Sequence, residues 1–117
     1  MKCVQKKLGT LSPKYPIENF CVPDQTLFID IETTGLYVRS SSLYLIGCAY
    51  LDGGADKPAC WQTIQWLATN YEDEANVLDA FVTFARPYRY LIHFNGNQFD
   101  IPYLQNKMQQ YNIHFNF

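Results

Sequence analysis

The stretch that decides the fold is Leu27-Phe28-Ile29-Asp30-Ile31-Glu32-Thr33-Thr34-Gly35-Leu36. Its first six residues are mostly apolar, which is typical of a central strand. Because side chains alternate along a strand, Asp30 and Glu32 point to the same face. Thr33-Thr34-Gly35 ends the strand, and we expect Gly35 to be free to adopt a positive φ. The stretch therefore predicts a buried strand with two carboxylates on one face near its end.

With the elements predicted in the rest of the chain, this strand gives the order β-β-β-α-β-α. Further strands are predicted at about residues 43–50, 59–64 and 90–94, and helices at about 71–86 and 100–111. The turn signal Asp52-Gly53-Gly54 favours an antiparallel return between the second and third strands. A three-strand meander, then a crossover helix and a strand, predicts an α/β fold with a mixed sheet flanked by helices. Residues 1–25 lack periodicity and are expected to form a leader segment that drapes over a domain spanning residues 26–117.

The composition is that of one domain with one core. The 117 residues are 48% hydrophobic with a net charge of −2, which excludes disordered chains and polybasic nucleic-acid binders. No apolar run approaches the roughly 20 residues of a membrane span, and the N-terminus lacks the apolar region of a signal peptide. The four cysteines show no metal-binding spacing and are interpreted as reduced thiols, so a cytoplasmic location is expected.

The two strand carboxylates point to a metal. Asp30 and Glu32 repel each other on one face unless a cation lies between them, and hard oxygen donors suit Mg²⁺ or Mn²⁺. The alternative is an exposed edge strand with solvated acids, against which the apolar neighbours argue. Asp100, at the junction of a loop and a helix, is by itself best interpreted as an N-cap. Together with the two strand acids it becomes a candidate third ligand.

Two motifs resemble those of a known family. The segment Phe28 to Leu36 resembles the first exonuclease motif of the DnaQ-like, or DEDD, nucleases with a ribonuclease H-like fold. His93-Phe94-Asn95-Gly96-Asn97-Gln98-Phe99-Asp100-Ile101-Pro102-Tyr103-Leu104 is similar to their second motif, and its wording is closest to the YprB-type predicted exonucleases. The resemblance covers about residues 15–112. It implies a hydrolase that removes nucleotides from DNA or RNA in the 3′ to 5′ direction with two Mg²⁺ or Mn²⁺ ions.

The resemblance also implies roles for individual residues. The catalytic and metal-binding carboxylates would be Asp30, Glu32 and Asp100. The terminal nucleotide of a single-stranded end would contact the backbone at Thr33 and Gly35, and its base would pack against Leu36. Asn95 would hydrogen-bond near the phosphate, and Phe99 would help to shape the pocket. This substrate-binding set would be Thr33, Gly35, Leu36, Asn95 and Phe99.

The family's last motif has no counterpart in these residues. It requires a fourth acid four or five residues after a His or Tyr that acts as general base, and no acidic residue lies between Ile101 and Phe117. The sequence thus resembles the N-terminal part of such a domain, C-terminally truncated. We expect weak or no activity from the isolated chain and self-association through the truncated edge. A non-catalytic nucleic-acid-binding or scaffold domain that retains the motifs, and a small-molecule phosphohydrolase, stay open as alternatives.

Other charged residues are interpreted by position alone. Arg39, Lys107 and Lys14 are candidate phosphate contacts. The acidic run Glu72-Asp73-Glu74 is interpreted as a solvated helix start, where the helix dipole favours negative charge.

Overall fold

The computed structural model describes residues 1–10, 14, 16–53, 59–93 and 98–117. It is a mixed α/β structure, in which a five-stranded sheet is flanked by helices. The strands are β1 (Lys2–Gly9), β2 (Thr26–Thr33), β3 (Leu43–Asp52), β4 (Cys60–Leu67) and β5 (Tyr90–His93). The helices are α1 (Glu74–Ala85) and α2 (Asp100–Gln110), with short 3-10 helices at Ile17–Asn19, Pro23–Gln25 and Tyr71–Asp73. The predicted fold class is confirmed.

The sheet has the strand order β1-β4-β3-β2-β5. Strands β2, β3 and β4 form the predicted antiparallel meander. Helix α1 then crosses over, and β5 runs parallel to β2, with Ile29 opposite His93. The strand that carries the two carboxylates is therefore central, with paired neighbours on both sides.

The N-terminal strand β1 is not predicted by the sequence. Seven of its eight residues are exposed, and it pairs with β4 through its backbone, with Cys3 opposite Trp66. An exposed strand that is held by its backbone needs no pattern of apolar side chains. The periodicity of apolar residues therefore does not predict such a strand. Within the predicted leader, Lys2–Gly9 is thus an edge strand of the sheet, while the domain boundary near residue 25 stays a prediction.

The core lies between one face of the sheet and the two helices. On β2 it receives Leu27, Ile29 and Ile31, each at most 6% exposed. The alternate positions, among them Asp30 and Glu32, face away from the helices. Buried partners from the helices include Leu78, Phe81, Val82, Leu104 and Met108. Strand β2 is thus fully covered on one face only, and the other carries the acids. No helix in the described ranges is long and apolar enough to cross a membrane.

Candidate functional site

The two carboxylates of β2 lie side by side on an open part of the sheet. Asp30 and Glu32 are both exposed, on the face predicted by the strand alternation. Gly47 of β3 stands directly opposite Asp30, so no side chain from that position covers the carboxylate. Asp30 Oδ1 accepts a hydrogen bond of 3.0 Å from the backbone N–H of Ile31. Both acids are accessible to a ligand.

Asp100 is the buried acid of this region. It opens α2 and is 7% exposed, and among the described residues its Oδ2 has no hydrogen-bond partner. Burial raises the pKa of Asp100, and the negative charges of Asp30 and, more weakly, Glu32 raise it further. The N-cap interpretation of Asp100 is wrong, because Asp100 is the first residue of the helix and Phe99 occupies the cap position. The fold therefore brings all three predicted carboxylates within electrostatic reach of one another.

His93 is a member of this region that the sequence reasoning missed. It ends β5, and its Nδ1 is buried with no hydrogen-bond partner among the described residues. His93 lies close enough to Asp100 to lower the pKa of that acid, against the effect of the two strand acids. The sequence does carry a signal for His93. It is a polar residue directly after the apolar run of β5, and the carboxyl ends of parallel strands are where functional groups commonly lie.

The loop after β2 places the predicted substrate-binding residues at the surface. Thr33 Oγ1 donates a 2.8 Å hydrogen bond to the carbonyl of Gly35. The expected positive φ at Gly35 is wrong: a Cβ there would instead lie 3.4 Å from the Cβ of Ser41, an ordinary contact. Leu36 is 79% exposed. Packing therefore does not require a glycine at position 35, and Leu36 is available to a ligand.

The second predicted motif is described only in part. Phe99 is half-buried, and its ring centroid lies 5.3 Å from that of Tyr103, next to the core. Asn95 and the loop predicted around it lie outside the described residues.

Two interpretations of charged residues are wrong. Lys107 is 4% exposed and forms an ion pair of 3.2 Å with Glu74, so it does not face a phosphate. Glu72 is exposed, as expected of a solvated helix start, but Asp73 and Glu74 are buried. Arg39 is exposed and stays a candidate contact.

The comparison with known families agrees with the fold. A family model described as the RNase_H superfamily matches residues 27–117, from the start of β2 onward. The chain belongs to the RNase_H superfamily. Curated proteins yield no significant match. Membership in the RNase_H superfamily indicates nuclease-type phosphodiester hydrolysis and nucleic-acid binding. The narrower resemblance to DnaQ-like and YprB-type exonucleases stays a prediction.

Nucleases of the RNase_H superfamily generally use divalent metal ions. The three carboxylates fit such an ion by chemistry, since they offer hard oxygen donors and an oxygen of Asp100 has no partner in the part of the chain that the structure describes. Within residues 1–10, 14, 16–53, 59–93 and 98–117, no three His, Cys, Asp or Glu side chains are arranged to hold an ion.

Proposed function

We propose that this protein is a metal-dependent nuclease that hydrolyses phosphodiester bonds at single-stranded nucleic-acid ends, in the 3′ to 5′ direction and with two Mg²⁺ or Mn²⁺ ions. One observation carries the proposal: Asp100 is buried near the two acids of β2, and one of its carboxylate oxygens has no partner in the described ranges. Burying such a group lowers stability, and perturbed acids of this kind concentrate at functional sites. Membership in the RNase_H superfamily supports the reaction class.

Each part of the region has a task in this reaction. Asp30, Glu32 and Asp100 would hold the ions, which when bound stabilise negative charge on the attacking and leaving oxygens of an in-line displacement. A water molecule gives up a proton to solvent and its oxygen forms a bond to phosphorus. The bond from phosphorus to the sugar 3′ oxygen breaks, and that oxygen takes a proton from solvent. The open face around Asp30 and Glu32 gives the phosphate access. The exposed Leu36 would contact the terminal base.

We expect these 117 residues to cleave slowly. No residue among them matches the family's fourth acid or its general base. General acid–base catalysis typically contributes about 10²–10⁴-fold to a rate, and a missing ligand would also weaken metal binding.

The decisive experiment combines nucleotide release with metal binding. The chain is incubated with labelled single-stranded DNA or RNA and Mn²⁺ or a chelator, and Mn²⁺ binding is followed by electron paramagnetic resonance. Asp30→Asn, Glu32→Gln and Asp100→Asn should abolish release and weaken Mn²⁺ binding at least tenfold. Asp79→Asn, a charge loss on the exposed side of α1, is the matched control and should change neither. Chelator-resistant release, or an equal effect of the control, would contradict the proposal.

A second function is favoured by the lack of a ready-made ligand group among the described residues. A domain that binds nucleic acid without cleaving it would keep the fold and the open face but need no ion. The same experiment distinguishes it: oligonucleotide binding would persist in chelator and in Asp30→Asn, and no nucleotide would be released at any Mn²⁺ concentration.

We propose a cytoplasmic location, supported by the four cysteines, all of which are free: Cys3, Cys21, Cys48 and Cys60. The self-association expected from the sequence has no support in the contacts of the described residues, and stays a prediction. Sedimentation velocity over a range of protein concentrations would test it.

A further inference from the structure

The loop that follows β2, residues 34–42, combines an exposed tip with a buried base. Leu36 and Tyr37 at the tip are each 79% exposed. Ser41 at the base is 8% exposed, and its Oγ donates a 2.5 Å hydrogen bond to the carbonyl of Tyr37. The same Oγ lies 2.8 Å from the hydroxyl of Tyr103 on α2. The Ser41 side chain therefore binds the backbone of the tip, and Tyr103 of α2 binds the Ser41 side chain.

A buried ion pair fastens the base of this loop to both helices. Lys107 of α2 and Glu74 of α1 are each 4% exposed, and their charged groups lie 3.2 Å apart. Lys107 Nζ donates a 2.7 Å hydrogen bond to the carbonyl of Ser41. Glu74 Oε2 accepts a 2.6 Å hydrogen bond from the backbone N–H of Leu43, where β3 begins. Each charge of the pair thus holds one backbone group at the end of the loop.

The remaining oxygen of Glu74 is also occupied. Oε1 accepts a 2.6 Å hydrogen bond from the hydroxyl of Tyr111, and this bond raises the pKa of Tyr111 to about 12. Both carboxylate oxygens therefore have partners. A buried ion pair is weak evidence for stability, since apolar residues of similar volume often serve as well. A fully bonded pair that holds loop backbone is better explained by the conformation it imposes.

We propose that Glu74 and Lys107 are positioning residues, which fix the loop so that Leu36 and Tyr37 present an apolar and aromatic surface to a nucleobase of the substrate. The proposal rests on the function proposed above. Helix α2 carries both Lys107 and, in its first turn, Asp100, so the pair holds the loop tip in a constant relation to the buried acid. An exposed aromatic ring is the group on which unpaired bases stack.

Hydrogen exchange tests the positioning without depending on activity. In Glu74→Gln/Lys107→Met, which leaves the net charge unchanged, amides of residues 35–43 should exchange at least about tenfold faster, whereas those of β4 should keep their protection. Asp79→Asn/Lys7→Met removes the same two charges from exposed positions and should leave both segments unchanged. Equal acceleration in β4 would mean a general loss of stability and would overturn the proposal, as would an unchanged loop.

A milder variant covers the case in which the double variant does not fold. Ser41→Ala/Tyr103→Phe removes the two hydroxyls but keeps the ion pair and the Ser41 carbonyl. It should accelerate exchange in the loop alone, by less than the loss of the ion pair does. Protection of the loop equal to that of the wild type would show only that the two hydroxyls do not hold the tip. The single variant Glu74→Gln, which keeps the side-chain volume, then decides the role of the pair: unchanged loop protection in it would overturn the proposal.

Binding of a short labelled oligothymidylate with Ca²⁺ tests the functional part. We expect Glu74→Gln/Lys107→Met to bind about tenfold more weakly, the range of one lost base-stacking contact, while the exposed control stays within twofold of the wild type. A loosened loop with unchanged affinity would overturn the positioning role. If the wild type binds no oligonucleotide, the proposed function fails, and hydrogen exchange alone still decides whether the pair holds the loop.

Discussion

Asp100 is buried at the start of α2, and the negative charge of the exposed Asp30 on β2 adds to the effect of burial in raising its pKa. No group in the described part of the chain donates a hydrogen bond to its Oδ2. This arrangement lowers the stability of the protein without an ion, so it is expected where function rather than folding has selected the residue.

Asp100→Asn should therefore stabilise the metal-free protein. The raised pKa means that the folded state holds the proton more tightly than the unfolded state, so the carboxylate lowers stability once the pH exceeds its ordinary pKa. We expect a gain of about 1 kcal/mol near neutral pH, a typical size for a single substitution, and no gain at a pH below the ordinary pKa. Urea denaturation in chelator at both pH values measures this. A loss of stability at neutral pH would show that the acid is satisfied in the folded state.

Asp73 should show the opposite pH dependence. The α-ammonium of Met1, 2.7 Å away, and the N–H and hydroxyl of Thr69 hold the pKa of Asp73 well below its ordinary value. Its contribution to stability is therefore present above the ordinary Asp pKa of about 3.9 and is lost as the pH falls below it. Asp73→Asn should lower the melting temperature at neutral pH, and the difference should shrink on acidification. Asp79→Asn should show no such trend.

Gly35→Ala should separate stability from binding. Gly35 does not adopt a positive φ, and an added Cβ would only touch Ser41 at 3.4 Å. The free energy of unfolding should change by less than about 1 kcal/mol, as for other substitutions that fit the backbone. If the backbone here meets the terminal nucleotide, oligonucleotide affinity should fall severalfold. Unchanged affinity would remove Gly35 from the substrate-binding set.

Phe81→Ala should be strongly destabilising. Phe81 of α1 is fully buried, and its ring contacts those of Trp66 and Phe115 edge to face. Truncating a buried Phe costs about 3–5 kcal/mol. Phe20→Ala makes the same chemical change at a residue that is 80% exposed, and should cost little. Urea denaturation of the two variants measures the difference. If the two variants lost similar free energies of unfolding, Phe81 would not belong to the core.

The sequence by itself determined the local elements and the face on which the acids lie. The apolar runs of β2 to β5 and the 3.6-residue spacing of α1 report which side chains are buried, and burial is what periodicity measures. The position of Asp30 and Glu32 on one face follows from strand geometry alone. The meander and the parallel return of β5 follow from chain connectivity.

Only the tertiary structure decided how residues distant in sequence meet. The exposed strand β1 is held by backbone bonds to β4, which leave no pattern in the sequence. The interpretations of Lys107 as a phosphate contact and of Glu74 as a solvated acid are wrong for one reason. Each residue is buried because it forms an ion pair of 3.2 Å with the other, and the two lie on different helices. The same holds for Asp100, whose burial near Asp30 depends on where α2 packs relative to β2. The role of a charged side chain depends on the groups around it. Where those groups belong to other helices or strands, tertiary packing and not the local sequence determines which they are.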